Sequence, residues 1–399
     1  MKKAISALLC AALLVCACAA GVFAGPAGYD QGGRFEALLV GGMEQTQAGD
    51  GAAELFLKTA LEQKHPDLVI FMGGNTVDTE SVTDYAAAVS HLTQPCVAAR
   101  TPFTCILGAR DYAALGESIR TELGGTFAML NAGLQVIWRE AGADLYYTAD
   151  ALSDGFDRAI HVRDAQGNVT ATLFLYNEPE ARTGIDEGQL TFFGEVREEN
   201  PDVPAYVFTQ KALPEVYTFY SECPSWLQGT ADLTAKVFGR TTITKSVNGV
   251  NKCLVPFFPM YDGLLFEAPE YGGVGAFGAF KADGHVSGVF SAYDLKNSYR
   301  VNVEGIGLVS VPGSGTQSGN NFTRGAALLS IRQNDPSVFT VTTYTYKAAG
   351  KTVPELSLVG EPFAFGDWCL YVFETLLRSI GWGIRSMADA TVAWQARQA

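Results

Sequence analysis

Histidine and basic side chains are scarce in this chain of 399 residues. Lys and Arg number 28 against 42 Asp and Glu, which gives a formal net charge of −14. An acidic protein repels nucleic acids and anionic lipid surfaces, so we expect no nucleic-acid partner. The four histidines are widely separated, at His65, His91, His161 and His285. A metal site built mainly from imidazole groups is therefore not indicated.

Cysteine spacings typical of zinc sites are also missing. Five of the eight cysteines lie beyond the first 24 residues, and none of them forms a Cys-x-x-Cys pair: Cys96, Cys105, Cys223, Cys253 and Cys369. Two alternatives stay open, namely disulfides Cys96–Cys105 and Cys223–Cys253, or free buried thiols. The chain also lacks the Gly-x-Ser-x-Gly of serine hydrolases and the phosphate-binding P-loop.

The N-terminus has the features of an export signal. Lys2 and Lys3 precede an apolar run over residues 4–15, which is too short to span a bilayer. Small or aliphatic residues before Ala24 predict cleavage after that residue and a secreted or extracytoplasmic protein. The alternative is a lipoprotein signal in which Cys18 becomes the lipidated first residue, which would attach the protein to a surface.

Beyond the signal, the sequence indicates a folded α/β domain, since 48% of residues are apolar and 18% charged. The first half alternates strands over 36–40, 68–71 and 103–107 with helices over 51–64, 82–92 and 112–123. Such alternation predicts a parallel sheet whose strands end at one edge. Further strands are predicted over 171–176, 205–208, 286–290, 306–311, 326–331 and 338–346.

The C-terminal extension, residues 347–399, contains an amphipathic segment. Asp367 is placed to cap a helix over 368–380, which at this length cannot cross a membrane. We expect no transmembrane span. The apolar side of this helix either packs onto the domain or contacts a partner or a membrane surface.

Three strand-end motifs carry a family resemblance. Residues 66–75 end in Gly73-Gly74-Asn75, residues 102–111 end in Gly108-Ala109-Arg110-Asp111, and the strand before Gln210 is followed by Ala212-Leu213-Pro214-Glu215. They resemble the calcineurin-like metallophosphoesterases, particularly the purple-acid-phosphatase-like branch. In that branch the first two motifs read Gly-Asp-Asn and Gly-Asn-His-Asp, and the third has His followed by Pro-Leu-Pro-Glu.

The resemblance covers residues 33–346 and implies a phosphoesterase domain with a four-layer α/β/β/α sandwich of two facing mixed sheets. It also implies two divalent metals where five strand-end loops meet, because the family activates a water molecule on such a pair. In the family, the two remaining loops read Asp-x-His after the first strand and Gly-His-Asp-His in the loop that corresponds to the region of residue 293 here.

The residues that would hold those metals are substituted in this chain. Gly74 replaces the carboxylate that bridges both metals in the family, and glycine offers no ligand atom. Arg110 replaces the catalytic histidine. We therefore expect no metal cofactor and no catalytic residue. The vestigial metal-site positions are Gly42, Glu44, Gly74, Ala109, Arg110, Gln210, Tyr293 and Leu295.

Polar residues remain around these positions, and we expect them to line an open cavity left by Gly42, Gly74 and Ala109. Arg110 can hold phosphate or carboxylate without a metal, or form a structural ion pair. The candidate ligand-binding residues are Glu44, Asn75, Arg110, Asp111, Gln210, Tyr293, Asp294 and Asn297.

These observations predict an exported, catalytically inactive protein that binds a small ligand or a protein partner through the vestigial metal cleft. One alternative is an active hydrolase with a rearranged site, holding one metal through Glu44, Asp111 and Asp294. Another is a surface interaction protein that acts through its C-terminal helix.

Overall fold

The computed structural model of the chain describes twelve stretches and three single residues of the tail. They are 27–115, 117–123, 127–147, 149–153, 157–178, 184–219, 244–247, 250–253, 262–264, 269–273, 275–317, 319–359 and residues 368, 372 and 376. The predicted signal with Ala24 and Cys18, and the cysteines Cys223 and Cys369, lie outside the described residues.

The first sheet has a parallel centre and two antiparallel strands on one side. Strands β1 (Arg34–Val40), β2 (Leu68–Met72) and β3 (Phe103–Ile106) run parallel in that order. β14 (Gly325–Arg332) and β15 (Asp335–Thr345) extend the sheet beyond β1. The loops after β1, β2 and β3 therefore leave the sheet at the same edge.

The second sheet has eight strands. They are β4 (Ala151–Leu152), β5 (Arg158–Arg163), β6 (Val169–Leu175), β7 (Ala205–Thr209), β10 (Asp262–Leu264), β11 (Val286–Ser291), β12 (Ser298–Val303) and β13 (Ile306–Ser310). Their order is β10-β12-β13-β11-β7-β6-β5-β4, and the parallel centre consists of β6, β7, β11 and β13. A separate hairpin pairs β8 (Thr244–Val247) with β9 (Val250–Cys253).

Eight α-helices are described, and four of them begin at a residue whose side chain caps the helix: Asp50, Ser81, Asp186 and Thr345. Asp50 accepts the backbone N–H groups of Ala52 and Ala53 and so starts α1. Ser81 accepts from Asp84 N and starts α2. The helices are α1 (Gly51–Lys64), α2 (Val82–Ala99), α3 (Ala109–Ala114), α4 (Glu117–Glu122), α5 (Phe127–Gly142), α6 (Glu187–Glu199), α7 (Ala276–Asp283) and α8 (Tyr346–Ala349). Short 3₁₀ turns cover Ala143–Leu145, Pro214–Phe219 and Pro354–Leu358.

Alternation of side chains along the strands produces three apolar layers. The inward residues of the two sheets, such as Leu39 and Phe208, pack against each other between the sheets. The outer face of the first sheet packs on α1, α2 and α5, with Trp138 buried there. The outer face of the second sheet packs on α6 and α7, where Phe193 contacts Phe280. The predicted four-layer sandwich with two facing mixed sheets is therefore confirmed.

Several predicted bounds differ from the structure. The helix predicted to end at residue 92 continues through Pro95 to Ala99. The single helix predicted over 112–123 is two short helices, because Leu115 leaves helical backbone angles. The helices not predicted are α5, α6 and α8, and the strands not predicted are β4, β5, β8, β9, β10 and β12.

The two described buried cysteines are both free. Cys96 lies on α2 and Cys105 on β3, and each thiol is buried without a disulfide. Of the two alternatives left open by the sequence, the Cys96–Cys105 disulfide is excluded and free buried thiols hold for this pair. The Cys223–Cys253 pair stays untested, because residue 223 is not described. No described helix combines the length and apolarity that a bilayer crossing requires.

Candidate functional site

The five strand-end loops come together as predicted. The loops after β1 and β2 are joined by backbone hydrogen bonds, from Gly42 N to Gly73 O at 2.9 Å and from Glu44 N to Gly74 O at 2.9 Å. Side chains from the loops after β7 and β11, Gln210 and Leu295, reach across from the second sheet. The edge at which parallel strands end is where α/β proteins place ligand sites.

The loops after β1 and β2 approach each other closely at two glycines, Gly42 and Gly74. A β-carbon built on Gly74 would lie 3.2 Å from the α-carbon of Gly42. Both residues have positive φ, +49° at Gly42 and +61° at Gly74, a region that favours glycine. This backbone therefore has little room for the two carboxylates that the family carries at these positions.

Leu295, in the loop after β11, fills the space above Gly42. A β-carbon on Gly42 would lie 2.6 Å from Leu295 Cδ1 and 2.7 Å from Cδ2. The leucine is buried. The prediction that Gly42 leaves the old metal cavity open is therefore wrong, because an aliphatic side chain from the opposite sheet occupies that volume.

Gln210, at the end of β7, fills the neighbouring space between the two sheets. Its Nε2 donates to Met72 O at the end of β2. A β-carbon on Gly73 would lie 2.1 Å from Gln210 Nε2, and one on Gly108 would lie 2.1 Å from Oε1. The amide that replaces the family's histidine is thus a buried link between the sheets, not a group that faces a cavity.

Asp111 holds the loops after β2 and β3 together. Its Oδ2 accepts from Gly74 N at 2.9 Å and Gly108 N at 2.8 Å, and Oδ1 accepts from Asn75 N at 2.7 Å and Thr76 N at 3.3 Å. Burial raises the pKa of Asp111 to about 6, and these backbone donors oppose the rise. The bond to Gly108 N caps α3.

Asn75 is anchored beside Asp111 and is buried. Its Nδ2 donates to Ile106 O at 2.9 Å and to Asp111 Oδ2 at 3.3 Å. Its Oδ1 has no hydrogen-bond partner among the described residues. The amide therefore links the ends of β2 and β3 and is not open to solvent.

Arg110 and Lys211 both lie against the ring of Tyr293. Arg110 Cζ is 5.7 Å and Lys211 Nζ is 5.2 Å from the ring centroid. Arg110 Nη1 also donates to Glu44 Oε1 at 2.8 Å, so the arginine pairs with Glu44 and not with Asp111. Burial raises the pKa of Glu44, and the guanidinium opposes this. We call Arg110, Lys211 and Tyr293 the cationic rim.

Exposure distinguishes the two cations of this rim. The Arg110 side chain is 47% exposed, whereas Lys211 is buried and Tyr293 is half-buried. Arg110 thus faces solvent at the mouth of the filled cleft. Among the candidate ligand-binding residues, the strongly exposed one is this arginine.

Asp294 and Asn297 belong to the loop after β11, and both take part in hydrogen bonds with backbone groups. Asp294 accepts the backbone N–H of Glu270 at 3.1 Å and 2.9 Å with its two carboxylate oxygens. Asn297 N donates to Asp294 O at 3.0 Å, and both side chains are buried. These contacts fix the loop that delivers Tyr293 and Leu295.

The residues at the strand ends do not fit a two-metal centre. The side chains of Gly42, Gly74, Ala109 and Leu295 offer no ligand atoms, and the amide of Gln210 donates to Met72 O. Within the described part of the chain no three His, Cys, Asp or Glu side chains are placed to hold a metal ion. The three carboxylates of the alternative one-metal site have separate partners. Glu44 pairs with Arg110, Asp111 accepts backbone N–H groups of the β2 and β3 loops, and Asp294 accepts the backbone N–H of Glu270.

Two residues of this region were not predicted from the sequence. Lys211 directly follows Gln210, and this position next to a substituted site residue could have indicated that Lys211 belongs to the site. Glu178, after β6, is buried and accepts from Gln210 N at 2.7 Å and Lys211 N at 3.0 Å through Oε1. Its Oε2 has no partner among the described residues, and burial raises its pKa.

No family model matches the chain, and no curated protein matches it in sequence. Solved structures with a similar overall arrangement include a dimetal phosphatase from Danio rerio. It is 9% identical with a TM-score of 0.42, over 78% of this chain and 99% of that one. They also include TT1561 of Thermus thermophilus, at 10% identity and a TM-score of 0.40, over 77% and 98%.

A third similar structure is GAP50, described as the anchor in the inner membrane complex of Plasmodium. It is 10% identical with a TM-score of 0.40, over 83% of this chain and 97% of that one. At such identities and scores the similarity concerns general architecture alone. The chemistry of this chain therefore has to be argued from its own residues.

Proposed function

We propose that this protein is an exported, catalytically inactive phosphoesterase-fold protein that binds an anionic group on its cationic rim. The observation that carries the proposal is the packing of Leu295 against Gly42, at hypothetical β-carbon distances of 2.6 Å and 2.7 Å. A leucine in that volume provides no metal ligand and leaves no room for one on residue 42. Two-metal activation of water has no structural basis at these residues.

Binding through the interior of the cleft is not favoured, because Leu295 and Gln210 fill it. The proposed contact is therefore the rim at its mouth, where Arg110 is exposed. The described residues give the guanidinium one hydrogen bond, from Nη1 to Glu44. A planar guanidinium carries five N–H donors and suits phosphate or carboxylate, and Lys211 beside the same ring adds a second positive charge.

The export part of the proposal rests on the N-terminal segment alone. Lys2 and Lys3, the apolar run over 4–15 and the small residues before Ala24 support cleavage there. N-terminal sequencing of the protein recovered from the producing cells tests this. A first residue of Gly25 supports secretion, a lipidated Cys18 supports surface attachment, and an intact Met1 contradicts export.

The first experiment on function tests for catalysis. The purified protein is incubated with manganese, iron or zinc, dialysed, and analysed for bound metal by mass spectrometry, and phosphomonoester and phosphodiester esters of p-nitrophenol are assayed in parallel. We expect neither stoichiometric metal nor turnover. Stoichiometric metal together with turnover that scales with it would overturn the proposal.

The second experiment tests the rim, with inorganic phosphate, phenyl phosphate and citrate as probes in calorimetric titrations. We expect weak binding that falls about tenfold or more in Arg110→Ala, because the loss of a charge-assisted contact is worth at least ~1.4 kcal/mol. Lys281→Ala is the matched control, since Lys281 lies on α7 and forms an exposed ion pair with Glu304. Equal affinities in both variants would contradict the rim site.

A further inference from the structure

Two arginines lie directly opposite each other at one end of the first sheet. Arg34 begins β1, and Arg332 at the end of β14 is its partner in the antiparallel register. The backbone N–H of Arg34 donates to Asp30 Oδ1 at 2.8 Å, and its C=O accepts from Asp30 N at 2.7 Å. The two arginines therefore form a pair without backbone hydrogen bonds between them, in which the α-carbons are only about 4.5 Å apart and the side chains are closest.

Both arginine side chains project from the same face of the sheet. Phe35 and Ile331, their neighbours along the two strands, point into the layer between the sheets, so Arg34 and Arg332 point the other way. Both side chains are exposed, and neither guanidinium forms a hydrogen bond or an ion pair with a residue that the structure describes. Like charges directly opposite each other on a sheet are destabilising.

The acidic residues beside this pair accept hydrogen bonds from other groups. Asp30 Oδ1 accepts from Arg34 N, and Asp335 Oδ1 accepts from the Ser337 hydroxyl at 2.7 Å. Neither carboxylate has an oxygen within 4.0 Å of a guanidinium nitrogen of Arg34 or Arg332. In a chain with a formal net charge of −14, two neighbouring positive charges are thus left without a counter-charge at ion-pair distance among the described residues.

A shallow cavity of about 640 Å³ opens at the two arginines. Besides Arg34 and Arg332, the described residues that line it are Gly32, Gly33, Gln333 and Asn334. Gln333 N donates to Gly33 O at 2.9 Å, which holds the two chain segments together beside the arginine pair. These described walls carry two guanidinium groups and two side-chain amides but no carboxylate, and each guanidinium offers five N–H donors in a planar fork. Such a lining suits an oxyanion.

We propose that Arg34 and Arg332 together bind a tetrahedral oxyanion with two negative charges, such as a sulfate or phosphate group. Each guanidinium would donate two parallel N–H···O bonds to it, which is the strong geometry for arginine and an oxyanion. The anion would also offset the repulsion between the two positive charges, so its binding would stabilise the folded chain.

This anion site is separate from the cationic rim. Arg34 begins β1, whereas the rim lies at the edge of the sheet where β1 ends, and a strand of seven residues covers about 20 Å. The full chain carrying Arg110→Ala, which disables the proposed rim site, is therefore the parent protein of the test. Failure of the rim proposal does not affect the result in this parent.

Calorimetric titration with sodium sulfate, at an ionic strength held constant with sodium chloride, measures the binding. We expect one sulfate per chain in the parent. Binding should be at least about tenfold weaker after Arg34→Gln or Arg332→Gln, since each change removes charge-assisted hydrogen bonds and one positive charge. Arg100→Gln is the matched control, because Arg100 is also an exposed arginine and follows α2, away from the pair. This control should bind sulfate like the parent.

Thermal unfolding in the same sulfate series gives a second readout. The unfolding midpoint of the parent should rise with sulfate and then saturate, and the rise should be smaller in Arg332→Gln than in Arg100→Gln. Sulfate also stabilises proteins in general by its exclusion from their surface, so a rise of equal size in parent and Arg332→Gln overturns the inference. Sulfate binding that is absent from the parent, or that both glutamine variants of the pair leave intact, overturns it as well.

Discussion

The side chain of Leu295 lies over the α-carbon of Gly42, and the two residues come from opposite sheets of the sandwich. A β-carbon on residue 42 would come within 2.6 Å of Leu295 Cδ1, closer than side-chain carbons pack. The small residue on one loop therefore permits the large one on the other. This pairing stabilises the contact between the sheets at the place where the resemblance implies a metal pair.

Gly42→Asp should destabilise the protein by about 2–4 kcal/mol, since the new side chain overlaps Leu295 and the carboxylate enters an apolar volume. Urea unfolding followed by circular dichroism measures the change. Gly167→Asp is the control, because Gly167 also has a positive φ, +88°, but a β-carbon there meets nothing within 4 Å. A cost for Gly42→Asp no larger than that of the control would contradict the packing.

Combining Gly42→Asp with Leu295→Ala should recover part of the loss. The removed leucine makes room for the aspartate, so the two changes should couple favourably by about 1 kcal/mol or more. Unfolding free energies of the two single variants and the double variant give this coupling directly. Strict additivity would show that the two side chains do not compete for one volume.

Asp111→Asn should cost about 2–3 kcal/mol of stability. The carboxylate accepts four backbone N–H groups, from Gly74, Asn75, Thr76 and Gly108, and an asparagine amide would turn an NH₂ donor toward some of these donors. Thermal and urea unfolding measure the effect. Asp164→Asn, at an exposed turn with local hydrogen bonds, is the comparison and should change stability far less. Similar losses in the two variants would show that Asp111 does not hold the loops.

The arrangement of the layers could be predicted from the sequence because its signals are local. Buried apolar runs end at Gly41 and Gly73, and a segment with helical spacing of apolar residues separates them. Strand β5 escaped prediction, since it carries Arg158 and His161, both buried, in place of a simple apolar pattern. Arg158 is accommodated by hydrogen bonds to Thr104 and Tyr146, which lie 54 and 12 residues away in sequence.

The sequence located the candidate site but did not show that side chains fill its interior. The motifs located Gly42, Gly74, Gln210 and Leu295 at converging strand ends, and the structure brings them together. The filling of the cleft depends on which way Leu295 and Gln210 point across two sheets. That direction depends on strand register and on the path of the loops, and neither can be predicted from the residue spacing within one motif.

Cys96 and Cys105 should resist thiol reagents in the folded protein. Burial raises the pKa of both, to about 11 for Cys105, so at neutral pH neither thiol forms the reactive thiolate. Iodoacetamide labelling followed by peptide mass spectrometry should find both unmodified without denaturant and both modified in urea. Labelling of either in the native protein, or a Cys96–Cys105 disulfide peptide, would contradict the structure.

Buried carboxyl groups should make the protein more stable in mild acid than at neutral pH. Burial raises the pKa of both Asp111 and Asp157 to about 6, from an ordinary 3.8. Between those values the folded state binds more protons than the unfolded chain, so the free energy of unfolding falls as pH rises through about 4 to 6. The stability that the two groups confer is fully present below their ordinary pKa of 3.8 and is lost above about pH 6.

Removal of one of these groups should flatten that dependence. Asp157 is buried and accepts from Asn177 N at 2.7 Å and Gln189 Nε2 at 3.0 Å, contacts that an asparagine oxygen can retain. Asp157→Asn should lower the slope of unfolding free energy against pH by up to about 1.4 kcal/mol per pH unit in this window. Urea unfolding across a pH series measures it, with the exposed Asp164→Asn as control. A free energy that rises with pH from 4 to 6 would mean that the backbone donors outweigh burial and that these carboxylates are ionised in the folded protein.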